Sequence, residues 1–228
     1  MIVSVHIADL GARHVPAVLR HRPDPAGVPG LRYAETTVTA PLGESILPTP
    51  SFGRAGMIAS WDDEASLDAF EAESPLAKRF ANGWQARLQP LHVFGAWPEM
   101  AGLPEKGLPV EDSEPVAVLT LGKLRLQRVV PFLKASAKAE GEVLSAPGVL
   151  ASIGLARPPR FVATFSLWRS AAEMRGYAQR PGGAHPAATR VHAEKPFHHQ
   201  SAFVRFRPFA SSGSWDGHDP LATVAAGL

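Results

Sequence analysis

The stretch FVATFSLWRSAAEMRGYAQRPGGAHPAATRVHAEKPFHHQSAFVRF, residues 161–206, decides the fold of this chain. It begins with FVATFSLW, an apolar run rich in β-branched and aromatic side chains, which predicts a buried strand. A helical segment follows, with Met174 and Tyr177 three residues apart on one face. A Pro-Gly-Gly break then leads into a second helical piece that carries His185, and the run AFVRF predicts a closing strand.

The same order of elements occurs earlier in the chain, at an offset of 107 residues. At this offset Trp61, Leu67 and Phe70 align with Trp168, Met174 and Tyr177. Each half then has the order strand–helix–strand–strand–helix–strand, which predicts a four-stranded antiparallel sheet with both helices on one face. Two such sheets can pack their bare faces together. The sequence therefore predicts an α+β fold of two tandem ferredoxin-like repeats packed as a pseudo-dimeric α/β barrel.

Breaks in the pattern divide the chain. We predict an N-terminal repeat over 1–98, a linker over 99–115 that is rich in Pro, Gly and acidic residues, a C-terminal repeat over 116–210 and a tail over 211–228. Two helix predictions bear on the interior. A helix over 76–88 would place Phe80 and Trp84 on one side, and a helix over 126–139 would turn Val129, Val130 and Leu133 inward.

Composition excludes several classes of protein. The chain of 228 residues has no cysteine, which excludes disulfides, thiolate metal sites, iron–sulfur clusters and cysteine nucleophiles. Its net charge is only +2 and the basic residues are dispersed, so no nucleic-acid partner is expected. No apolar run approaches the ~20 residues of a membrane helix, so we expect no integral membrane segment and a cytoplasmic location.

Common catalytic motifs are also missing. The sequence has neither a phosphate-binding G-x-x-x-x-G-K-[ST] loop nor a dinucleotide-binding G-x-G-x-x-G turn, and no G-x-S-x-G elbow for a serine nucleophile. The acidic run Asp62–Asp63–Glu64 is better explained as the cap and first turn of a helix.

Histidines supply the remaining candidates for chemistry. Nine occur in the chain, and the dense group is His185, His192, His198 and His199. A lone neutral histidine on a helix that faces an apolar sheet can ligate haem iron through Nε2. The adjacent pair at 198 and 199 could bind a metal, although adjacent side chains point apart. Surface or structural histidines remain the third interpretation.

Several motifs in the second half resemble those of one family. The motifs are PVAVLTLGKLR (115–125), PGV…SIG (147–154), ATFSLW (163–168), M..YA (174–178), HPAA..V (185–191), FVRFRP (203–208) and GSWDGHDPL (213–221). In this order they resemble the spheroidene monooxygenases, the carotenoid 2-oxygenases of purple bacteria, and their relatives outside carotenoid pathways. In the first half the resemblance is looser and centres on SWDDEASLDAF.

The resemblance implies a haem-dependent monooxygenase on a dimeric α/β barrel, with haem b as cofactor. Other haem proteins of this barrel class, such as aldoxime dehydratases and chlorite dismutases, place the iron-ligating histidine on the second helix of the C-terminal half, a position that matches His185. Apolar walls are expected from Phe161, Phe165, Trp168 and Met174. Propionate partners are expected among Arg157, Arg160 and Arg190.

The implied substrates are dioxygen and a small or elongated apolar molecule, of carotenoid or secondary-metabolite type. Two alternatives stay open: a haem-dependent dehydratase of a nitrogenous substrate, and a cofactor-free monooxygenase or binding protein on the same barrel. The electron donor, the distal catalytic residues and homo-oligomerisation are left open by the sequence.

Overall fold

A computed structural model describes residues 1–43, 50–183, 187, 190–191 and 194–222. In this part of the chain the strands are β1 (Ile2–Asp9), β2 (Leu31–Ala40), β3 (Ser51–Trp61), β4 (Trp84–Gly95), β5 (Val116–Leu124), β6 (Val149–Arg157), β7 (Phe161–Trp168) and β8 (His198–Gly213). The helices are α1 (Val15–Arg20), α2 (Glu64–Glu73), α3 (Pro75–Phe80), α4 (Val129–Leu144) and α5 (Ala171–Ala178). Single 3₁₀ turns lie at Pro98–Met100 and Leu126–Arg128.

The eight described strands close into one antiparallel barrel in the order β1-β3-β2-β6-β7-β5-β8-β4. The first half, β1–β4, and the second half, β5–β8, meet at two junctions, where β2 pairs with β6 and β4 pairs with β8. The β4–β8 junction is long, whereas β2 pairs with β6 only over Val38–Ala40. This arrangement confirms the predicted α+β class and the barrel.

The barrel interior is a packed apolar core. Inward side chains from all eight strands form one buried cluster, whose largest members include Trp84, Phe165 and Phe206. Trp215, from the segment after β8, closes the cluster: its ring centroid lies 5.2 Å from that of Trp84. Asp219 accepts a hydrogen bond from Trp84 Nε1 at 2.9 Å. The motif GSWDGHDPL therefore has a structural role at this end of the barrel.

The helices cover the outer face of the barrel, meaning the side of the sheet away from the interior. In the first half α1, α2 and α3 bury a second apolar cluster against β1 and β3, with Met57 and Trp61 at 0% exposure. In the second half a smaller cluster lies beneath α5 and the C-terminal part of α4. The cluster in the second half has fewer buried residues than the cluster in the first half. The candidate site lies where the second half buries less of its outer face.

The prediction of a continuous helix over 76–88 is wrong beyond Phe80. The structure ends α3 there, turns through Asn82–Gly83 and begins β4 at Trp84. A Cβ at Gly83 would lie 2.1 Å from the Ile7 carbonyl oxygen, so the turn needs glycine where two backbones approach. Tertiary pairing of β4 with β1 overrides the helical spacing of the sequence.

Three local details occur in both halves. Gly30 and Gly148 have φ of +71° and +80°, and their carbonyls accept hydrogen bonds from Asp62 N and Arg169 N at 2.8 and 2.7 Å. The caps of α2 and α5 are Asp63 and Ser170, which accept from the backbone N–H three residues on. The ring pairs Trp61–Phe70 and Trp168–Tyr177 have centroid distances of 5.0 and 5.2 Å.

Candidate functional site

The barrel interior leaves little room for a ligand in the described part of the chain. Phe161 and Phe165 point inward from β7 and are 7% and 0% exposed within the interior cluster. Residues on one strand alternate between faces, so these two rings lie on the opposite side of the sheet from Trp168. The structure therefore does not bring the four predicted apolar wall residues together.

An uncovered strip lies on the outer face of the second half. Its side chains are small. They are exposed or half-buried, although they belong to β5, β6 and β7, which are paired with a neighbouring strand on both sides. The members of this open strip are Thr120, Ser152, Gly154, Val162 and Thr164. Thr120 is the exposed member, and its cross-strand neighbour is Thr164, whose other neighbour is Gly154.

Helix α4 leaves the strip uncovered because only its C-terminal part packs on the sheet. Its buried residues are Ala137 and Val143. Towards the N-terminus Val129 and Leu133 are half-buried and Val130 is 60% exposed, so the prediction that Val130 points inward is wrong. Among the described residues, the N-terminal half of α4 therefore does not bury the open strip, and we call the space between them the groove.

Trp168 and Met174 close one end of this groove. Both are 2% exposed and belong to the cluster beneath α5. Trp168 Nε1 donates a hydrogen bond to Ser166 Oγ at 3.0 Å, which satisfies its one polar atom. These two residues therefore form the floor under α5, and neither presents much surface to a ligand.

Arg205 introduces a charge beside the open strip. It lies on the outer face of β8, next to Val118 of β5 and one outward position from Phe203. It is half-buried, and its Nε has no hydrogen-bond partner among the described residues. Burial and the nearby Arg175 guanidinium lower the pKa of Arg205. The strip thus has a polar edge where an anionic or hydrogen-bond-accepting group would be favoured.

His198 lies at the other end of the strip. It begins β8 opposite Leu124, and its ring lies over Gly122: a Cβ at that glycine would be 2.5 Å from His198 Nε2. On its other side the ring centroid is 5.2 Å from that of Phe132 on α4. The imidazole is thus held between sheet and helix at the margin of the groove, a position that the sequence does not reveal.

The predicted propionate partners separate in the structure. Arg157 lies at the β2–β6 junction, where its Nη1 is 3.2 Å from Glu35 Oε1 and donates to Thr36 Oγ1 at 2.8 Å. Burial raises the pKa of Glu35, an effect that Arg157 opposes. Arg157 therefore already has a carboxylate partner on the interior side of the sheet.

Arg160 has a different environment. Its Nη1 donates to the Leu124 carbonyl at 3.3 Å, which brings it to the same end of the strip as His198. Arg125 and Arg128, which the sequence analysis missed, lie at that end as well. A signal was present: in VAVLTLGKL the small or polar residues Thr120 and Gly122 alternate with inward leucines, which marks an outer face without large side chains.

The predicted iron ligand His185 lies outside the described residues, as does His192. Arg190 is described and exposed. The ends of the segment that carries them are placed: a Cβ at Gly183 would lie 3.4 Å from Glu142 Oε2, near the C-terminus of α4. Arg128, which precedes α4, donates to the Lys195 carbonyl at 3.4 Å. Both ends of the segment therefore border α4.

Comparison with known proteins identifies the family. The chain is 32% identical over 196 residues to the spheroidene monooxygenase of Rubrivivax gelatinosus. The aligned region covers 84% of this chain and 74% of that protein. It is 30% identical over 187 residues to the enzyme of the same name from Rhodobacter capsulatus, at 79% and 77% coverage. The chain belongs to the spheroidene monooxygenase family. It is therefore an oxidoreductase of the monooxygenase class, and the resemblance seen in its motifs is confirmed.

Among solved structures, the fold is similar to that of an aldoxime dehydratase, with a TM-score of 0.53 at 10% identity, covering 97% of this chain and 87% of that one. A second aldoxime dehydratase, crystallised with butyraldoxime, has a TM-score of 0.51 at 10% identity, with coverages of 97% and 84%. At this identity the likeness concerns the fold alone. No family model matches the chain.

Two further observations concern the described residues only. Within the ranges given above, no helix is both long enough and apolar enough to cross a bilayer. Nor do three or more His, Asp or Glu side chains converge there as a ligand set for a metal ion.

Proposed function

We propose that this family member is a haem-dependent monooxygenase that acts on an apolar, elongated molecule, with the cofactor held in the groove over the open strip. The observation that carries the proposal is the exposure of Thr120 on the outer face of β5, a strand that is paired on both sides. A helical layer normally buries such a strand, since an amphipathic helix and the sheet face must cover each other's apolar surface. An exposed, small side chain there indicates a surface kept clear for a ligand.

The residues present fit a haem. The small side chains of Thr120 and Thr164 provide a surface against which a planar macrocycle can lie. Val129, Phe132 and Leu133 on α4 face it with half-buried apolar groups. His185 would supply the nitrogen ligand of the iron, and arginines at the His198 end would hold the carboxylate groups of the haem. Haem, when bound, supplies the activation of dioxygen with electrons from an external donor.

The chain's own contribution is binding, orientation and exclusion of water. The hydroxyls of the cross-strand pair Thr120 and Thr164 are the polar groups at the centre of the strip. Phe203 and Phe94, whose ring centroids are 6.1 Å apart, extend the same face towards β4 as an apolar surface. An apolar substrate would be oriented by this apolar surface, beside the part of the strip that the cofactor covers.

The apolar rim supports an elongated substrate. Phe94 is 48% exposed at the β4 end of the face, and Leu126 and Val130 are 48% and 60% exposed at the start of α4. Exposed apolar side chains at both places would favour an apolar ligand over a polar one. The relatives are named for spheroidene, so a linear polyene is the substrate class to test first.

We also interpret the barrel as a duplication of one ferredoxin-like unit. The same strand order in both halves supports this interpretation, and so do the matched caps of α2 and α5. Matched irregularities add to it: strand pairing shifts between Leu31 and Tyr33 in one half and between Val149 and Ala151 in the other.

The proposal is tested by expressing the protein with a haem precursor and measuring its absorption spectrum and pyridine haemochrome. About one haem per chain is expected. His185→Ala should abolish the Soret band, while His218→Ala, an exposed position in the tail, should leave it unchanged. A linear polyene should shift the Soret band of the holoprotein.

Retention of the Soret band in His185→Ala would overturn the ligand assignment. A colourless wild-type protein that also fails to take up added haemin would overturn the haem dependence. The family's monooxygenase chemistry would then be sought without this cofactor, in the same groove.

A further inference from the structure

Three arginines converge where the open strip ends. Arg125 follows β5, and its Nε donates to the His198 carbonyl at 3.1 Å. Arg160 lies in the turn between β6 and β7, and its carbonyl accepts from Leu124 N at 2.8 Å while its own Nη1 donates to the Leu124 carbonyl. Arg128 donates to the Lys195 carbonyl at 3.4 Å. Two chain segments, the β5–α4 connection with Arg125 and Arg128 and the β6–β7 turn with Arg160, therefore bring three guanidinium groups to one edge of the groove.

These arginines have no carboxylate partner among the described residues, which distinguishes them from the other clustered arginines. Arg54, Arg87, Arg157 and Arg207 each pair with Asp or Glu within 3.2 Å. Near the end of β5, Glu99 pairs with Lys123 and accepts a hydrogen bond from Gln200 Nε2, so it is already engaged. Within the described ranges, the positive charges of Arg125, Arg128 and Arg160 therefore have no compensating carboxylate.

Partial burial of Arg125 and Arg128 makes this arrangement costly in the absence of an anion, whereas Arg160 is exposed. Arg128 Nε is buried without a hydrogen-bond partner in the described part of the chain, and the guanidinium lies 5.6 Å from the Phe197 ring centroid. Burying a charged group is unfavourable unless an opposite charge and hydrogen bonds compensate it. Desolvation lowers the pKa of the His199 imidazole, and the charges of Arg125 and Arg160 lower it further.

We infer that Arg125, Arg128 and Arg160 form a carboxylate-binding site that holds the propionate groups of the cofactor. This inference rests on the proposed haem function. Leu124 lies four residues beyond Thr120 along β5, about 13 Å at the usual rise per residue. A planar ligand over the strip would thus present one edge to the arginines. Guanidinium groups bind carboxylates through paired, charge-assisted hydrogen bonds, so the chemistry of this edge suits two propionates.

The test compares two porphyrins on the same apoprotein. Haemin carries two free propionates, and haemin dimethyl ester carries none. Wild-type protein should bind haemin about 100-fold more tightly than the ester, since each charge-assisted interaction accounts for roughly tenfold in affinity. Arg125→Gln and Arg160→Gln should each weaken haemin binding by about tenfold and leave ester binding unchanged.

Two further variants control for trivial causes. Arg79→Gln removes an exposed arginine of α3, in the other half, and should change neither affinity. Arg125→Lys and Arg160→Lys keep the charge and should recover part of the haemin affinity, which a variant that merely fails to fold cannot do. Thermal unfolding of each apoprotein checks that the fold is intact.

The outcomes separate the two claims. If wild-type protein binds haemin and its ester equally, or if the Gln variants lose affinity for both alike, the arginine site is overturned while the haem function stands. If wild-type protein binds neither porphyrin, the haem function fails and the arginine assignment fails with it. Preference for haemin that disappears in the Gln variants supports the site.

Discussion

The two halves of the barrel share a strand order but treat their outer faces differently. In the first half His6 and Met57 are cross-strand neighbours at the centre of the face, 2% and 0% exposed, and Phe80 of α3 covers them. At the offset of 107 residues Met57 aligns with Thr164, whose cross-strand neighbour is the exposed Thr120. One half therefore seals the position that the other leaves open.

Under the proposed function, this difference separates a half with a sealed outer face from a half that holds the ligand. Replacing two large buried side chains by two threonines removes apolar surface that a helix could cover. Packing a helix on this part of the sheet then gains less free energy, because the gain depends on the apolar area that is buried. The chain accepts a smaller core in its second half, and a groove is the result.

Filling the open strip with large side chains should make the outer faces of the two halves alike. The resulting loss of haem affinity is the largest effect that we expect. Thr120→Met combined with Thr164→Met would give the second half a face like the first. Haem affinity should fall by about 100-fold or more, since the bulk occupies the surface on which the macrocycle lies. Haemin titration followed at the Soret band measures this loss.

The control for the filled strip is Ser212→Met, at an exposed position of β8, which should bind haem normally. Unchanged affinity in the double variant would show that the ligand does not use this face.

The reverse exchange should damage the first half. Met57→Thr removes a fully buried side chain and adds a hydroxyl to an apolar cluster. The free energy of unfolding should fall by about 2–4 kcal/mol, from lost transfer energy and the remaining cavity. Urea unfolding of the apoprotein measures it, and Thr164→Met alone should change stability by less than about 1 kcal/mol. Equal effects of the two changes would mean that the faces are packed alike.

His6 should make the sealed half sensitive to acid. Burial, and then the charge of Arg87, lower its pKa to about 4, while its hydrogen bond to Gln85 opposes this shift. The imidazole is therefore neutral in the folded protein, whereas the unfolded chain takes up the proton near pH 6.5. Its contribution to stability is complete above pH 6.5 and is lost as the pH falls towards 4, by about 3 kcal/mol in total.

The measurement is the free energy of unfolding between pH 7 and pH 4, for wild-type protein and for His6→Gln. The difference between the two curves should decline with falling pH, because other titrating groups contribute equally to both. Parallel curves would contradict a buried, neutral His6. Thr120, its counterpart in the second half, has no such titration.

Substitution of Gly122 should give the smallest of these effects, a modest loss of unfolding free energy. A Cβ there meets the His198 ring, so Gly122→Ala should cost about 1–2 kcal/mol of unfolding free energy through overpacking. Adding His198→Ala removes the ring and should make the glycine change nearly neutral. If Gly122→Ala costs the same in both backgrounds, the ring does not define the edge of the groove.

Much of the fold follows from local sequence. Strand β7 has the predicted bounds, Phe161–Trp168. A short run of β-branched and aromatic side chains favours a buried strand over other structures. Asp63 caps α2 as predicted, and the break at Ser74–Pro75 separates α2 from α3. The helix predicted over 76–88 fails beyond Phe80, since the apolar spacing there serves strand β4 equally well.

The candidate site was less accessible to sequence reasoning. Apolar residues near the histidine motif suggested one wall, but the alternation along β7 assigns Phe165 to the interior and Trp168 to the outer face. Arg157 was expected to face the cofactor, yet Glu35, distant in sequence, pairs with it. Such pairings depend on which strands become neighbours, and this is not encoded locally.

The sequence by itself determined the α+β class, the two similar halves and the family, because periodicity and short motifs are properties of adjacent residues. Only the tertiary structure decided which face stays open and which charges stay unpaired. The exposure of Thr120 depends on where α4 packs, and the charge at Arg125, Arg128 and Arg160 depends on distant segments that meet. Burial and charge compensation arise from contacts between distant parts of the chain, so they are fixed only when the barrel closes.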